Sequence, residues 1–364
     1  MRGSVQIARF FEIPVLLHWS FGLLAAYVLF IGQSRGLAAG QVLWLSFFVM
    51  AMFVCIVLHE FGHALTARRF GVSTRDIVLL PIGGMARLDK LPEKPIHEFL
   101  VAVAGPAVNV AVALILSSFF FIVSPRELFA QALGSETDLI GNYFFFVPAL
   151  IFLNITLAVF NLLPAFPMDG GRILRALLSM RLSRTKATRI AATVGQVIAV
   201  AMFVLGLWNY HFTTAFIGVF IFFTAAKEYQ WVRSEGILSD IAVGEKMRRD
   251  FTFLKLSDSI LPAYSLMIQN REFNFLVFDE NANLVGTLPN WALAKALKNG
   301  LSNSRVEEVF RKGFYAIGPA ATLKEANEKL QRPGADILPV FDGGALVGVL
   351  DQRVISDALS GENR

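Results

Sequence analysis

Charge is what this chain has least of. Only 17% of its 364 residues are Asp, Glu, Lys or Arg, while 55% are hydrophobic and mean hydropathy is +0.57. A water-soluble chain carries about a quarter charged residues, so the deficit excludes an ordinary cytosolic enzyme and a disordered tail alike. Cysteine is nearly absent as well. Cys55 stands alone inside an apolar run, which rules out an intramolecular disulfide and leaves it a small packing residue. Acidic residues are outnumbered by basic ones, with a net charge of +5 and a pI near 9.4. Such a balance can mark a nucleic-acid partner, but in an apolar chain Lys and Arg more commonly crowd the cytoplasmic loops of a membrane protein. Their positions decide between the two.

Long apolar runs are what the chain has in abundance. Up to about Trp231 they recur near the ~20 residues a helix needs to cross about 30 Å of hydrocarbon. They are Val15 to Gly32, Val42 to Arg68, His97 to Val123, Tyr143 to Leu163, Ile190 to Trp208 and Phe212 to Tyr229. The first has no small-residue cleavage site and is followed by five more, so it is read as a retained helix and not a signal peptide. With six spans, fourteen Lys and Arg fall on one side, including Arg2, Arg68, Arg69, Arg87, Arg172 and Arg189, against Arg35 and Arg126 on the other. That asymmetry puts the N-terminus, and everything after the sixth span, on the cytoplasmic side of a cell membrane. The lipid bilayer accounts for the basic excess, and no nucleic-acid partner is expected.

After Val232 short β-like stretches, amphipathic stretches and frequent charges take over, as in a soluble domain. This part repeats itself. Val243 to Met247, Phe251, Ile260 and Phe275 to Asp279 return 63 positions later as Val306 to Phe310, Phe314, Leu323 and Leu338 to Asp342. Leu284 to Leu288 returns at an offset of 62 as Leu346 to Leu350, one loop residue having been lost. Each copy reads as helix, strand, strand, helix, too small to bury its own apolar faces and expected to pair with its twin. The two copies resemble a tandem pair of CBS modules. The expected architecture is therefore a polytopic α-helical membrane domain of about six transmembrane helices over residues 1–232, a linker at 233–242, and a cytoplasmic α/β tandem CBS pair over 243–360. The resemblance implies two roles for the pair, adenine-nucleotide binding or homodimerisation. The ribose-reading pattern of such modules, G-h-h-T-x-x-D with h hydrophobic, is missing its Thr and Asp in both Gly286 to Ala292 and Gly348 to Val354, with Asp351 a partial substitute at most.

The second run ends in His59-Glu60-Phe61-Gly62-His63. Positions i and i+4 share a helix face, so His59 and His63 can offer two imidazole nitrogens to one metal while Glu60 stands beside a water on it. By chance the H-E-x-x-H pattern would arise about 0.003 times in a chain of this composition. Three ionisable groups at membrane depth are also costly without a function. A catalytic zinc takes three protein ligands and keeps a fourth position for water. The end of the fourth run, Asn161-Leu162-Leu163-Pro164-Ala165-Phe166-Pro167-Met168-Asp169-Gly170-Gly171, supplies Asp169 on a segment that prolines and glycines break out of regular helix. Such backbone survives at membrane depth only when buried in protein or lining a wet cavity. Both runs travel in the same direction, so His59, His63 and Asp169 share the cytoplasmic ends.

These two motifs together resemble the site-2 protease family of intramembrane zinc metalloproteases. Leu80-Pro81-Ile82-Gly83-Gly84 and Ala104-Gly105-Pro106-Ala107-Val108-Asn109 look like segments of the same family, whose branch with a C-terminal CBS pair this chain is similar to; nothing reads as the PDZ insertion of the envelope-stress branch. The resemblance implies one Zn2+ per chain held by His59, His63 and Asp169, Glu60 as general base, and Asn161 and Pro167 holding the substrate backbone. Its implied substrate is a transmembrane protein, whose scissile segment must unwind into a strand before its peptide bond is accessible. Residues 71–88 read as a strand and tight return, a re-entrant hairpin whose free edge would pair with that strand; proline at Ile77 or Leu79 is then expected to impair cleavage and spare zinc. Asn109 and Asn154 lie within spans, where substrate contact and interhelical hydrogen bonding are both open. His18 reads as an interfacial histidine. A CBS-gated transporter or channel is the competing reading, although it has no need of a glutamate beside a three-ligand metal.

Overall fold

Apolar residues with β-branched neighbours do not all become helix, and the N-terminus of this protein is the case in point. The computed structural model describes residues 3–81, 83–89, 92, 94–123, 146–301 and 304–361. Arg2, Ile82, Lys90, Arg126 and Tyr143, on which parts of the sequence reading fall, lie outside the described residues. The chain divides into two units, Met1–Gln230 and Trp231–Arg364.

The first unit opens with strands β1 (Ser4–Phe10) and β2 (Ile13–His18), joined at Phe11 and Glu12, both with positive φ as a tight hairpin of matching twist demands. Arg68 braces that turn, donating from Nη1 to the Phe11 carbonyl and from Nη2 to Glu12 Oε2, each at 3.0 Å. The expected first span is thereby shortened. Val15 to Leu17 pair in parallel with Ile77 to Leu79, and helix α1 (Phe21–Ser34) begins only after them. The reason is tertiary, because an aliphatic run can satisfy its backbone on a neighbouring strand as well as within a helix. Strands β3 (Thr74–Leu80) and β4 (Gly83–Leu88) complete a four-stranded sheet in the order β1-β2-β3-β4. The sheet packs on helix α2 (Ala39–Arg69) through Ile13, Val15, Ile77 and Leu79 against Phe61 and Ala64.

Helix α3 (Pro95–Val123) runs close against α2: a Cβ on Gly62 would come within 2.8 Å of the Ala104 carbonyl oxygen. Helix α4 (Phe146–Asn161) stops where Pro164 and Pro167 prevent continuation, and α5 (Asp169–Ser179), α6 (Arg184–Trp208) and α7 (Phe212–Asp240) follow. Among the described residues three helices are long and apolar enough to cross a membrane, Ala39–Arg69, Pro95–Ile122 and Arg184–Trp208. Helices α1 and α4 are apolar but have only 14 and 16 residues, and α7 carries its apolar half into Lys227 and Glu228. Among the described residues, therefore, three helices are of spanning length, and the expected count of about six is not confirmed.

The second unit contains two copies of one motif. The first has β5 (Phe253–Lys255), α9 (Leu261–Ile268), β6 (Phe275–Phe278), β7 (Leu284–Leu288) and α10 (Asn290–Lys298), preceded by the short α8 (Val243–Lys246). The second has α11 (Val306–Val309), β8 (Arg311–Lys312), α12 (Leu323–Leu330), β9 (Ile337–Asp342), β10 (Ala345–Asp351) and α13 (Gln352–Gly361). The copies exchange their leading segments. Val243 is buried among Leu323, Leu338 and Leu350 of the second copy, and Val306 among Phe275, Leu288 and Leu293 of the first. Neither half completes its core alone, as the sizes of the repeats require. Residues 233–240, read as part of a linker, continue α7.

Candidate metal centre

An α-helical pitch of 3.6 residues stacks His59 over His63 on one face of α2, with ring centroids 4.7 Å apart. Asp169 comes from the other side as the first residue of α5, the position where a carboxylate is favoured by the helix dipole. The turn before it is tight: a Cβ on Gly170 would strike the carbonyl oxygens of Leu162 and Leu163. Asp169 Oδ2 lies 3.2 Å from both His59 Nε2 and His63 Nε2, and the two nitrogens are 3.0 Å apart. All three residues are buried, at 6%, 7% and 8% exposure.

The chemistry of this set fits a divalent cation. His63 Nδ1 lies 2.7 Å from the Val101 carbonyl oxygen and donates to it, which directs the Nε2 lone pair inward in the neutral ring. Imidazole nitrogens and a carboxylate oxygen therefore converge with more lone pairs than protons. Their spacing of 3.0–3.2 Å approaches the ligand-to-ligand separation of roughly 3.3 Å that tetrahedral zinc with bonds near 2.0–2.1 Å imposes. The nearest wall is Gly105 on α3. A Cβ there would sit 2.7 Å from His59 Nε2 and closer still to His63 Nε2. Gly105→Ala is accordingly expected to lower zinc affinity by about 10- to 100-fold, the range for a disturbed ligand shell; competition with a calibrated chelator checks it, and an unchanged affinity would mean the histidines can yield.

The structure distributes the remaining candidates unevenly. Glu60 is half-buried on the same turn of α2, with its Oε2 accepting the Ala86 N–H of β4 at 2.8 Å. Asn161 ends α4 half-buried, and Pro167 is exposed two residues before Asp169. Asn154 is fully buried and its Nδ2 donates to the Leu150 carbonyl at 2.8 Å and to Cys55 Sγ at 3.3 Å, tying α4 to α2. Asn109, one turn beyond Gly105, is fully buried with both amide atoms unpartnered among the described residues. His18 Nδ1 is engaged 2.7 Å from Ser20 Oγ.

Two features of the hairpin were not visible in the sequence. The edge lies on β4, whereas β3 is an inner strand bonded to β2 and β4, so proline at Ile77 or Leu79 would break the sheet itself. Second, Asp76 on β3 grips Arg87 on β4, and this ion pair raises the guanidinium's pKa above its usual value. A further residue carries no sequence signal because it lies outside every motif. Arg175, on α5 with Asp169, is fully buried; its Nε donates to Glu98 Oε1 at 2.7 Å and its Nη1 to Glu228 Oε1 at 2.6 Å.

A membrane-type helical unit with a buried two-histidine, one-carboxylate centre, followed by a repeated α/β pair, defines a membrane metallopeptidase with a CBS pair. The Peptidase family M50 profile matches residues 47–205, and the CBS domain profile matches 238–299 and 306–361. A zinc metalloprotease of Methanocaldococcus jannaschii is 32% identical over 362 residues, covering 99% of this chain and 97% of the relative. A relative from Synechocystis sp. is 25% identical over 392 residues, covering 99% and 96%. Among solved structures, a site-2 protease from Methanocaldococcus jannaschii shares 32% identity over 62% of this chain and 95% of its own, with a TM-score of 0.45. The chain belongs to Peptidase family M50, the zinc metalloproteases of site-2 protease type, and carries a CBS pair.

Proposed function

We propose that the protein hydrolyses peptide bonds within or near the membrane-spanning segments of other proteins, with His59, His63 and Asp169 holding one zinc ion and Glu60 acting as general base. The observation that carries this reading is the convergence of three buried ligand atoms from α2 and α5, all within 4.8 Å of one another. When bound, zinc supplies a Lewis acid that makes water acidic enough to attack near neutral pH and stabilises charge on the carbonyl oxygen. Glu60 accepts the proton of the attacking water and returns it to the leaving amine. The backbone around Asn161 and Pro167, beside Asp169, together with the free edge of β4, supports an extended substrate strand at the site. Asn154, tied to α2, serves this binding by holding α4 in place. The charge asymmetry of the loops supports a multi-pass protein of the cell membrane with the site and the CBS pair toward the cytoplasm.

The test is cleavage of a single-span protein by the purified full-length chain in detergent. A zinc chelator is expected to stop cleavage and zinc to restore it; cleavage indifferent to the chelator would exclude the metal-dependent reading. For the CBS pair we favour packing or homodimerisation over nucleotide binding. Asp351, the one partial substitute in the ribose pattern, is buried, pairs with Arg248 Nη2 at 3.3 Å, and caps α13 through the N–H groups of Arg353 and Val354. Calorimetry of the full-length protein with ATP, ADP and AMP is expected to show no binding heat, and saturable heat with any of them would overturn the preference.

A further inference from the structure

Glu60 is the member of the histidine motif that does not point into the three-atom cluster, and its position is set by the sheet. Its Oε2 accepts the backbone N–H of Ala86 at 2.8 Å. The strand comes this close because residue 84 is glycine: a Cβ there would sit 2.8 Å from Glu60 Cγ and 3.0 Å from Ile56 Cγ2.

The register explains why that N–H is free to reach a side chain. Residues facing each other across an antiparallel ladder alternate between pairs that exchange both backbone hydrogen bonds and pairs that exchange none. Ala86 stands opposite Ile77, and the pairing runs regularly from Asp76 and Arg87 to Leu80 and Gly83. Since the Ala86 N–H goes to Glu60, the Ala86–Ile77 pair is of the second kind, and this N–H points outward at the edge of the sheet. A hydrogen bond from a backbone N–H to a carboxylate is charge-assisted and directional, and it fixes one oxygen while leaving the other free.

We propose that the backbone N–H of Ala86 is the positioning donor of the catalytic base: it holds Glu60 Oε2 at the edge of β4 so that Oε1 is presented for proton transfer. The strand proposed to receive substrate and the carboxylate proposed to activate water are then one hydrogen-bonded unit, and the distance between them does not depend on a flexible side chain. The inference rests on the reading of Glu60 as base, and Ala86 acts through Glu60 without touching the reacting atoms itself.

The decisive variant is Ala86→Pro, which removes that N–H and puts the proline ring in its place. Proline is tolerated at the edge of a sheet where the missing N–H faced outward. Full-length Ala86→Pro is expected to keep its zinc content and melting temperature and to lose about 10- to 100-fold in kcat, the worth of one hydrogen bond to a charged group. In a Glu60→Gln background Ala86→Pro is expected to lower the residual rate no further, because the carboxylate it positions is gone. Gly84→Ala, whose added methyl displaces Glu60 without touching the Ala86 N–H, is expected to reproduce the loss in kcat with zinc retained, and it carries the test if the proline variant does not fold. Wild-type cleavage is measured first. If the wild type does not cleave, the proposed function has failed; if it does, and Ala86→Pro or a folded Gly84→Ala cleaves at the wild-type rate, the positioning role is wrong.

Discussion

Glu60→Gln is expected to yield a folded protein that binds zinc like the wild type and cleaves its substrate about 10²- to 10⁴-fold more slowly, the contribution usual for a positioned general base. Two features of the structure make the substitution clean. Glu60 is outside the cluster formed by His59, His63 and Asp169, so no ligand atom is removed. Glutamine is nearly isosteric and its amide oxygen can still accept the Ala86 N–H, so the contact at 2.8 Å and the packing of β4 on α2 survive. What is lost is basicity, because an amide oxygen does not accept a proton from water near neutral pH. Zinc analysis beside a cleavage assay separates the two effects. A variant that retains zinc and full activity would transfer the base function to another group, and one that loses zinc would show that Glu60 helps hold the metal.

Arg175→Met is expected to cost about 3–5 kcal/mol of stability, the range for breaking a buried ion pair from one side. Arg175 is fully buried, and its guanidinium meets Glu98 on α3 and Glu228 on α7, with its Nη2 2.6 Å from Glu98 Oε1. Glu98 is itself 5% exposed, and among the described residues one other cation lies near it, Arg184 at 3.6 Å. Methionine would match the volume of the arginine stem but leave that carboxylate charged and nearly unpaired. Because Arg175 and Asp169 share the short α5, zinc content is expected to fall together with stability. Arg175→Lys is expected to fall between, since one ammonium cannot reproduce the fork that meets two carboxylates. The exposed pair of Arg68 and Glu12 in the same unit supplies the contrast; their side chains are 55% and 77% exposed, and Arg68→Ala is expected to cost no more than about 1 kcal/mol. Thermal unfolding in detergent would show the ordering, and equal shifts for the two variants would refute the account of Arg175.

What could be read in advance depended on how local the signal was. The i, i+4 spacing of His59 and His63 is a property of one helix turn, and the repeat of the C-terminal pair is a property of the string, so both were legible. The apolar runs were legible as helices except at the start of the first. Val15 to Leu17 became a strand because β3, sixty residues later, offered its backbone, and hydropathy carries no information about which partner satisfies an N–H. The strand signal in 71–88 suffices for a hairpin but not for its edge, since which strand lies outermost depends on β2 arriving from the other end of the unit.

The sequence alone was enough for the scarcity of charge, the membrane class, the doubled C-terminal module, and the residue types able to hold a metal, because composition, periodicity and spacing are intrinsic to the string. Folding was needed to bring Asp169 to within 3.2 Å of both histidines, to put the backbone of Gly105 against their nitrogens, to bury Arg175 between two glutamates, and to set Glu60 on the edge of β4. Each of these joins groups between 26 and 110 positions apart in the chain. Only close packing of separate helices and strands decides such distances, and no local propensity encodes them.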